Sequence, residues 1–298
     1  MIASARVPRS GGAAGLYLRA LRHPVLVRFV LSVLMWLVVV VMISPLVWAL
    51  LTSFKPDTET LHYPPTLLPR TWTVKAYFEI FKVLPFATYY WNSVLAAGAT
   101  AVLTILLSAT AAYSMTRFRN PVADLASFTG LAAYMLPGIL IVLPVFTVLH
   151  RLRQLDSLPA LIALYVAYFV PFGLWQLRSY FAGIPQDLEE AALVDGATRF
   201  EAFYIVVLPQ ALPGIIATGI FTFSVAWNEY LFASLLLFSP SHQTLSAGLA
   251  TVLVGSFDIY SWAILMAGAV LMTLPVLVIF MFVQSYLVSG LSSGAVKG

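Results

Sequence analysis

Residues 29–51 read FVLSVLMWLVVVVMISPLVWALL and contain no charged side chain. A helix that crosses a bilayer needs about 20 mostly apolar residues, and this stretch exceeds that length. It is also longer than the roughly 7–15 apolar residues of a signal peptide, and no small-residue cleavage site follows it. The stretch therefore predicts a membrane-spanning helix that is kept in the mature protein.

Further stretches of the same kind follow along the chain. Of the 298 residues, 61% are apolar and only 9% are charged, whereas soluble proteins carry about 25% charged residues. This composition excludes an ordinary soluble domain and a disordered chain, and the lack of cysteine excludes a disulfide scaffold. We expect an all-α integral membrane fold with six transmembrane helices. The spans fall at about 29–51, 91–115, 125–149, 157–177, 208–238 and 261–288.

The distribution of Lys and Arg predicts the orientation. Ten of the 16 basic residues fall on the side that includes both termini, and five of these lie in the basic segment 1–28. Cytoplasmic loops of membrane proteins carry the excess of Lys and Arg, so we expect both termini in the cytoplasm. The chain is thus divided into a cytoplasmic N-terminal segment, 1–28, and a transmembrane domain, 29–298.

The motifs of common enzymes and nucleotide-binding proteins are missing. No lysine stands in a Gly-Lys-Ser/Thr context, no H-E-x-x-H or G-x-S-x-G pattern occurs, and no span contains His. The chain is expected to be no enzyme and to bind no metal or cofactor itself, so an ATP-driven role would need an ATPase on another chain. The net charge of +4 is too small to suggest nucleic acid as a partner.

The loop between the fourth and fifth spans, 184–207, has a distinct pattern. Pro185 suits a first helical turn, acidic residues follow it, and Asp195-Gly196 is a helix stop. These signals predict a helix–Gly–helix elbow on the cytoplasmic face. The alternative is a solvated loop helix that packs only on its own bundle.

The elbow also carries a spaced motif. It consists of Glu190-Ala191-Ala192, then Asp195-Gly196-Ala197, then Leu208-Pro209. The spacing resembles the EAA motif of ABC-importer permeases, with Val206 where Ile is usual. Residues 51–55, 92–93, 226–230 and 290–298 also resemble sugar-permease sequence. The chain is similar to the MalG-type permease subunit of carbohydrate importers, which has the type I ABC importer fold.

That resemblance implies a set of partners and a location. Such a permease forms a heterodimeric pore with a second permease in the lipid bilayer of a prokaryotic plasma (inner) membrane. Two cytoplasmic ATPase subunits, which bind ATP–Mg, drive the pore, and an extracytoplasmic sugar-binding protein delivers the substrate.

The resemblance also implies roles for particular residues. The elbow becomes the coupling helix, with Glu190 as the charged contact to the ATPase and Gly196 as the turn. The coupling residues are Glu190, Ala191, Ala192, Asp195, Gly196, Ala197, Leu208 and Pro209. In the tail, Ser293, Gly294 and Lys297 become candidate contacts to the ATPase.

Glu229 is a carboxylate at the far end of the fifth span. Counted from Leu208 at 1.5 Å per residue, it lies about 31 Å along the helix, near the outer interface. One hypothesis places Trp227, Asn228, Glu229 and Tyr230 on the substrate path, with Asn228 and Glu229 at the mouth of the pore. The other is an interfacial glutamate that snorkels or pairs with an external Arg.

Two other functions remain open. The same architecture could carry a non-sugar solute such as a glycerol phosphate. An ion-coupled secondary transporter is disfavoured because it needs ionisable relays near the midplane of the membrane, and the spans hold none there.

Overall fold

The computed structural model describes residues 24–60, 62–118, 120–255 and 262–295. All regular secondary structure in these ranges is helical. In chain order the helices are α1 Pro24–Ser53, α2 Asp57–Thr60, α3 Lys75–Val83, α4 Phe86–Arg117, α5 Pro121–Tyr134, α6 Gly138–Arg151, α7 Leu158–Ala182, α8 Gln186–Val194, α9 Arg199–Ala202, α10 Leu208–Asn228, α11 Leu231–Leu236, α12 Leu245–Gly255 and α13 Trp262–Ala295.

Four helices of the described ranges, α1, α4, α7 and α13, are long and apolar enough to cross a membrane. Two bent pairs raise the number to six if each pair counts as one span. These are α5 with α6, bent by 104°, and Arg199–Gln210 with Leu212–Asn228, bent by 75°.

The stretch 125–149, expected as one span, is divided at residues 135–137. Pro137 has an extended backbone with ψ of 128° and caps α6. Proline offers no N–H and pushes the residue before it out of the helical region, so the helix stops before it. Within the expected span 208–238, α10 ends at Asn228 and a separate short helix, α11, follows.

Helix α4 lies at the centre of the bundle, packed against α7 and α10. Its buried face consists largely of small side chains: Ala96, Ala97, Thr100, Ala101, Thr104, Ser108, Ala109 and Ala112. Small residues let membrane helices approach closely. Ser108 Oγ donates to the carbonyl oxygen of Val170 on α7 at 3.1 Å.

Helix α1 lies at the edge, with α13 as its main neighbour. Large apolar side chains along it are exposed, including Trp36 and Met42. In a bilayer such a surface faces lipid, which explains why the most apolar helix of the four is the least buried.

Candidate functional site

The first arm of the elbow is α8. It begins after Pro185, which has no N–H to leave unpaired, and Asp187 and Glu189 lie in its first turn. Acidic side chains at this end interact favourably with the helix dipole. The helix bounds follow the local signals in the sequence.

The turn of the elbow is a Schellman motif around Gly196. The N–H of Ala197 donates to Ala192 O at 3.0 Å, and the N–H of Gly196 donates to Leu193 O at 3.1 Å. Gly196 has a φ of +95°, and the position of a missing Cβ has no atom within 4 Å. Glycine is therefore required here by backbone conformation and not by lack of space.

The second arm begins at Thr198 with a capping box. Thr198 Oγ1 accepts from the N–H of Glu201 at 3.3 Å, and Glu201 Oε2 accepts from the N–H of Thr198 at 2.7 Å. The hydroxyl of Thr198 also donates to Glu201 Oε2, at 2.8 Å, and the two hydrogen bonds that this carboxylate accepts lower the pKa of Glu201. The chain then passes through α9 and a π-helical turn, Phe203–Val207, into α10, where Leu208 is half-buried and Pro209 exposed.

Adjacent glutamates on α8 have opposite environments. Glu189 is buried, and its Oε2 accepts from Arg117 Nε at 2.7 Å. Its Oε1 accepts from the hydroxyl of Tyr113, and Arg117 Nη2 also donates to Ile184 O at 3.4 Å. Glu190 is exposed. The sequence analysis did not single out Glu189 as a site residue. The available signals were a second acidic residue beside Glu190 and a basic residue, Arg117, just after the second span.

Apolar side chains project from the same elbow. Leu188 and Val194 on α8 are exposed, as are Phe200, Tyr204 and Ile205 on the second arm. Among the coupling residues Ala191 and Asp195 are also exposed, whereas Ala192 and Ala197 are half-buried. Exposed apolar surface rimmed by polar residues is typical of a protein contact.

A compact cluster fixes the elbow to the bundle. We call it the elbow cluster; it comprises Ala109, Ala112, Leu177, Phe181, Ile184, Phe203, Val207 and Ala211. The ring of Tyr113 packs on Phe203 with centroids 4.5 Å apart. Both ends of the elbow are thus held against α4 and α7.

At the far end of α10 the four candidate residues differ in exposure. Trp227 is 1% exposed, and its Nε1 donates to Met272 O at 3.0 Å. Asn228 is exposed and donates to Ser224 O at 2.8 Å, and Tyr230 is also exposed.

Glu229 is engaged by protein donors. Its carboxylate accepts from the N–H groups of Phe232 and Ala233 at 2.9 and 3.1 Å, and from the hydroxyl of buried Tyr165. It therefore caps α11. The carboxylate is thus held by neutral donors of the protein, and within the described ranges it forms no ion pair with an arginine.

The other end of α11 is held by a second carboxylate. Asp156 Oδ1 accepts from the N–H groups of Phe238 and Ser239, both at 2.9 Å, and Asp156 N donates to Leu236 O at 2.8 Å. His242 Nδ1 lies 3.2 Å from Asp156 Oδ2. Together, Glu229 and Asp156 clamp α11.

The candidate tail residues lie at the end of the chain. Ser293 and Gly294 belong to the last turn of α13, and Lys297 lies outside the described residues. Within the described ranges, no group of three or more His, Asp or Glu side chains is placed to hold a metal ion.

Comparison with known proteins decides the family. Residues 104–293 match the model of the binding-protein-dependent transport system inner membrane component. The chain belongs to this family. The permease is 36% identical over 266 residues to the inner membrane ABC transporter permease protein YcjP of Escherichia coli K12, covering 88% of this chain and 94% of YcjP.

Two further proteins extend the comparison. The permease is 33% identical over 282 residues to the trehalose/maltose transport system permease protein MalG of Thermococcus litoralis, covering 93% of this chain and all of that protein. It superposes with a TM-score of 0.76, at 21% identity, on a crystal structure of a bacterial ABC transporter involved in the import of the acidic polysaccharide alginate, covering 95% of this chain and 99% of that one.

These comparisons confirm the expected all-α fold of a type I ABC importer permease. They also confirm that the chain is a transport component and not an enzyme, because its relatives are permease subunits. The permease is a multi-pass inner-membrane protein of a system that depends on a binding protein.

Proposed function

We propose that this permease imports a carbohydrate. The support comes from its relatives: one curated relative is a trehalose/maltose permease, and the fold is that of an alginate importer. The finer assembly follows the same reasoning. A second permease completes the pore, two cytoplasmic ATPases bind ATP–Mg and drive it, a sugar-binding protein delivers the substrate, and both termini lie in the cytoplasm.

The elbow is the coupling helix in this proposal. The observation that carries it is the exposed Glu190 on a helix that is otherwise firmly held, beside exposed apolar Leu188 and Val194. A projecting helix with a carboxylate and apolar side chains suits a cleft on an ATPase. Because the elbow cluster holds both ends of the elbow, a push on α8 reaches the bundle.

The remaining candidate residues take supporting roles. Asn228 and Tyr230 are exposed at the outer end of α10 and contribute to the substrate path, while buried Trp227 and clamped Glu229 shape it. Ser293, Gly294 and Lys297 contact the ATPase from the tail.

The test is Glu190→Lys in the reconstituted importer. We expect the variant to insert and assemble but to lose sugar uptake while ATP hydrolysis continues, because the charge that meets the ATPase is reversed. Asp57→Lys makes the same charge change in the short helix α2 at the opposite face, where it removes only a long 3.9 Å ion pair with Lys75, and uptake should stay coupled to ATP hydrolysis. Normal coupled uptake by Glu190→Lys would contradict the assignment.

A further inference from the structure

Polar side chains near both ends of helix α4 bind it to neighbouring segments. At the elbow end, Arg117 holds the Glu189 carboxylate at 2.7 Å and the Ile184 carbonyl at 3.4 Å. The side chains of Arg117 and Glu189 are only 5% and 6% exposed. The attraction between two charges so well shielded from water is stronger than in a surface pair, and the Tyr113 hydroxyl further fixes the position of the carboxylate.

At the other end of α4, Asn92 and Ser93 form the hydrogen bonds to the neighbouring segment. Asn92 Nδ2 donates to Ser241 O at 3.0 Å and to Gln243 O at 2.9 Å. Ser93 Oγ accepts from the N–H of Leu245 at 2.8 Å. Both side chains are buried, and they bind backbone groups of 241–245, the segment that follows the clamped α11.

Between these two sets of contacts, α4 is a continuous helix. Of the long helices in the described ranges, α4 has no interior proline, whereas α1, α7, α10 and α13 contain Pro45, Pro171, Pro213 and Pro275. Proline inside a helix kinks it. At 1.5 Å per residue, the 25 steps from Asn92 to Arg117 extend over about 38 Å, and α4 spans this distance as a single stiff rod.

We propose that α4 moves as a rigid rod and transmits displacement of the elbow to the outer segment 241–245. Glu189 and Arg117 connect the rod to the elbow, and Asn92 and Ser93 connect it to the outer segment. All four are positioning residues for transport. The proposal rests on the proposed function, since it assumes that the ATPase moves the elbow. It assigns different roles to the two adjacent glutamates. Glu190 contacts the ATPase, and Glu189 transmits the resulting displacement to α4.

The first experiment measures sugar uptake per ATP hydrolysed in proteoliposomes that contain the whole importer. Allosteric coupling energies correspond to roughly 5- to 150-fold, and we expect Glu189→Gln and Asn92→Ala each to lower the ratio about tenfold. The control Arg178→Gln breaks an exposed 2.8 Å ion pair with Asp124 that lies outside the rod, and should leave the ratio unchanged.

The double variant distinguishes one path from two. Distant and independent sites contribute additively, so separate effects would multiply to about a hundredfold. If both residues act through the same rod, the uptake per ATP of the double variant should fall by no more than about tenfold. Multiplied effects, or single variants with a normal ratio, would overturn the proposal.

Two further measurements protect against misfolded variants. Exchanging the pair, as Glu189→Arg with Arg117→Glu, should restore the ratio that Glu189→Gln loses. Because the chain has no cysteine, spin labels at Ser114→Cys on α4 and Val194→Cys on α8 are site-specific in this subunit. Their distance should stay constant between nucleotide-free and ATP-bound importer, and a change of several ångströms would show that the elbow moves independently of α4.

The two proposals fail in different ways. If Glu190→Lys uncouples transport but Glu189→Gln does not, the rod is wrong and the coupling helix stands. If Glu190→Lys leaves transport coupled, the coupling-helix assignment is itself wrong.

Discussion

Replacing Gly214 by alanine should destabilise the permease at the point where α7 and α10 meet beside the elbow. A Cβ on residue 214 would lie 2.7 Å from Cδ1 of Tyr180 and closer still to Cγ, well inside ordinary contact at 3.4–4 Å. The clash is with the root of an aromatic ring, which moves only if the whole side chain changes rotamer. Overpacking of this kind costs about 2 kcal/mol, which lowers the Tm of a chain of this size by roughly 4–8 °C.

Thermal unfolding of the purified importer in detergent measures this effect. In a Tyr180→Ala background the ring is gone, so the Gly214→Ala change should cost little. The control is Gly98→Ala on α4, where a Cβ meets no atom within 4 Å and alanine stabilises the helix by about 0.5–1 kcal/mol. An unchanged Tm for Gly214→Ala, or the same loss with and without the Tyr180 ring, would refute the reasoning.

Three further predictions concern the elbow turn and the clamped helix α11. Gly196→Ala should lower the stability of the elbow by about 1–2 kcal/mol, because residue 196 has a φ of +95°. The expected result is faster proteolysis of the elbow, and Gly196→Asn should have a smaller effect. Equal proteolysis rates for the wild type and both variants would contradict this. Desolvation raises the pKa of Asp156, but hydrogen bonds from Ser239, Phe238 and His242 outweigh it and bring the pKa to about 2. Because this value is below the ordinary 3.8, the clamp stabilises the protein above about pH 4 and is lost as the pH falls towards 2. After allowance for solvent screening the effect is about 1 kcal/mol. The hydrogen-exchange protection factors of 236–243 should therefore fall in acid in the wild type but not in Asp156→Asn, which is already loosened at pH 7. Glu229→Gln should lower stability by about 1–3 kcal/mol, since it weakens the cap on α11; a loss of uptake at unchanged Tm would instead favour direct contact with sugar.

Local backbone rules account for the part of the site that could be predicted. Pro185 and Gly196 act through their own φ values and missing N–H or Cβ, so the start and turn of α8 are readable from the sequence without knowledge of the rest of the fold. The same holds for long charge-free stretches, because the bilayer requires them.

Tertiary placement accounts for what was missed. Glu189 and Glu190 are chemically identical neighbours, and only the position of α4 decides that the first is buried against Arg117. Pro137 ends the helical run through its own backbone, which is a local effect, but the 104° bend between α5 and α6 depends on how each half packs. The capping role of Glu229 likewise requires knowledge that α10 ends one residue before it.

The position of α1 has a consequence for biosynthesis. Among the described residues the first helix to be synthesised, α1, has α13 as its main neighbour, and about 200 residues separate them. At synthesis rates of about 5–20 residues per second, α1 waits on the order of 10–40 s in the bilayer before that neighbour exists. From residue 29 onward α1 carries no charged side chain, and it is the most apolar of the four long helices, so it can reside alone in lipid during that interval. The contact between α1 and α13 therefore forms late in the assembly of this permease.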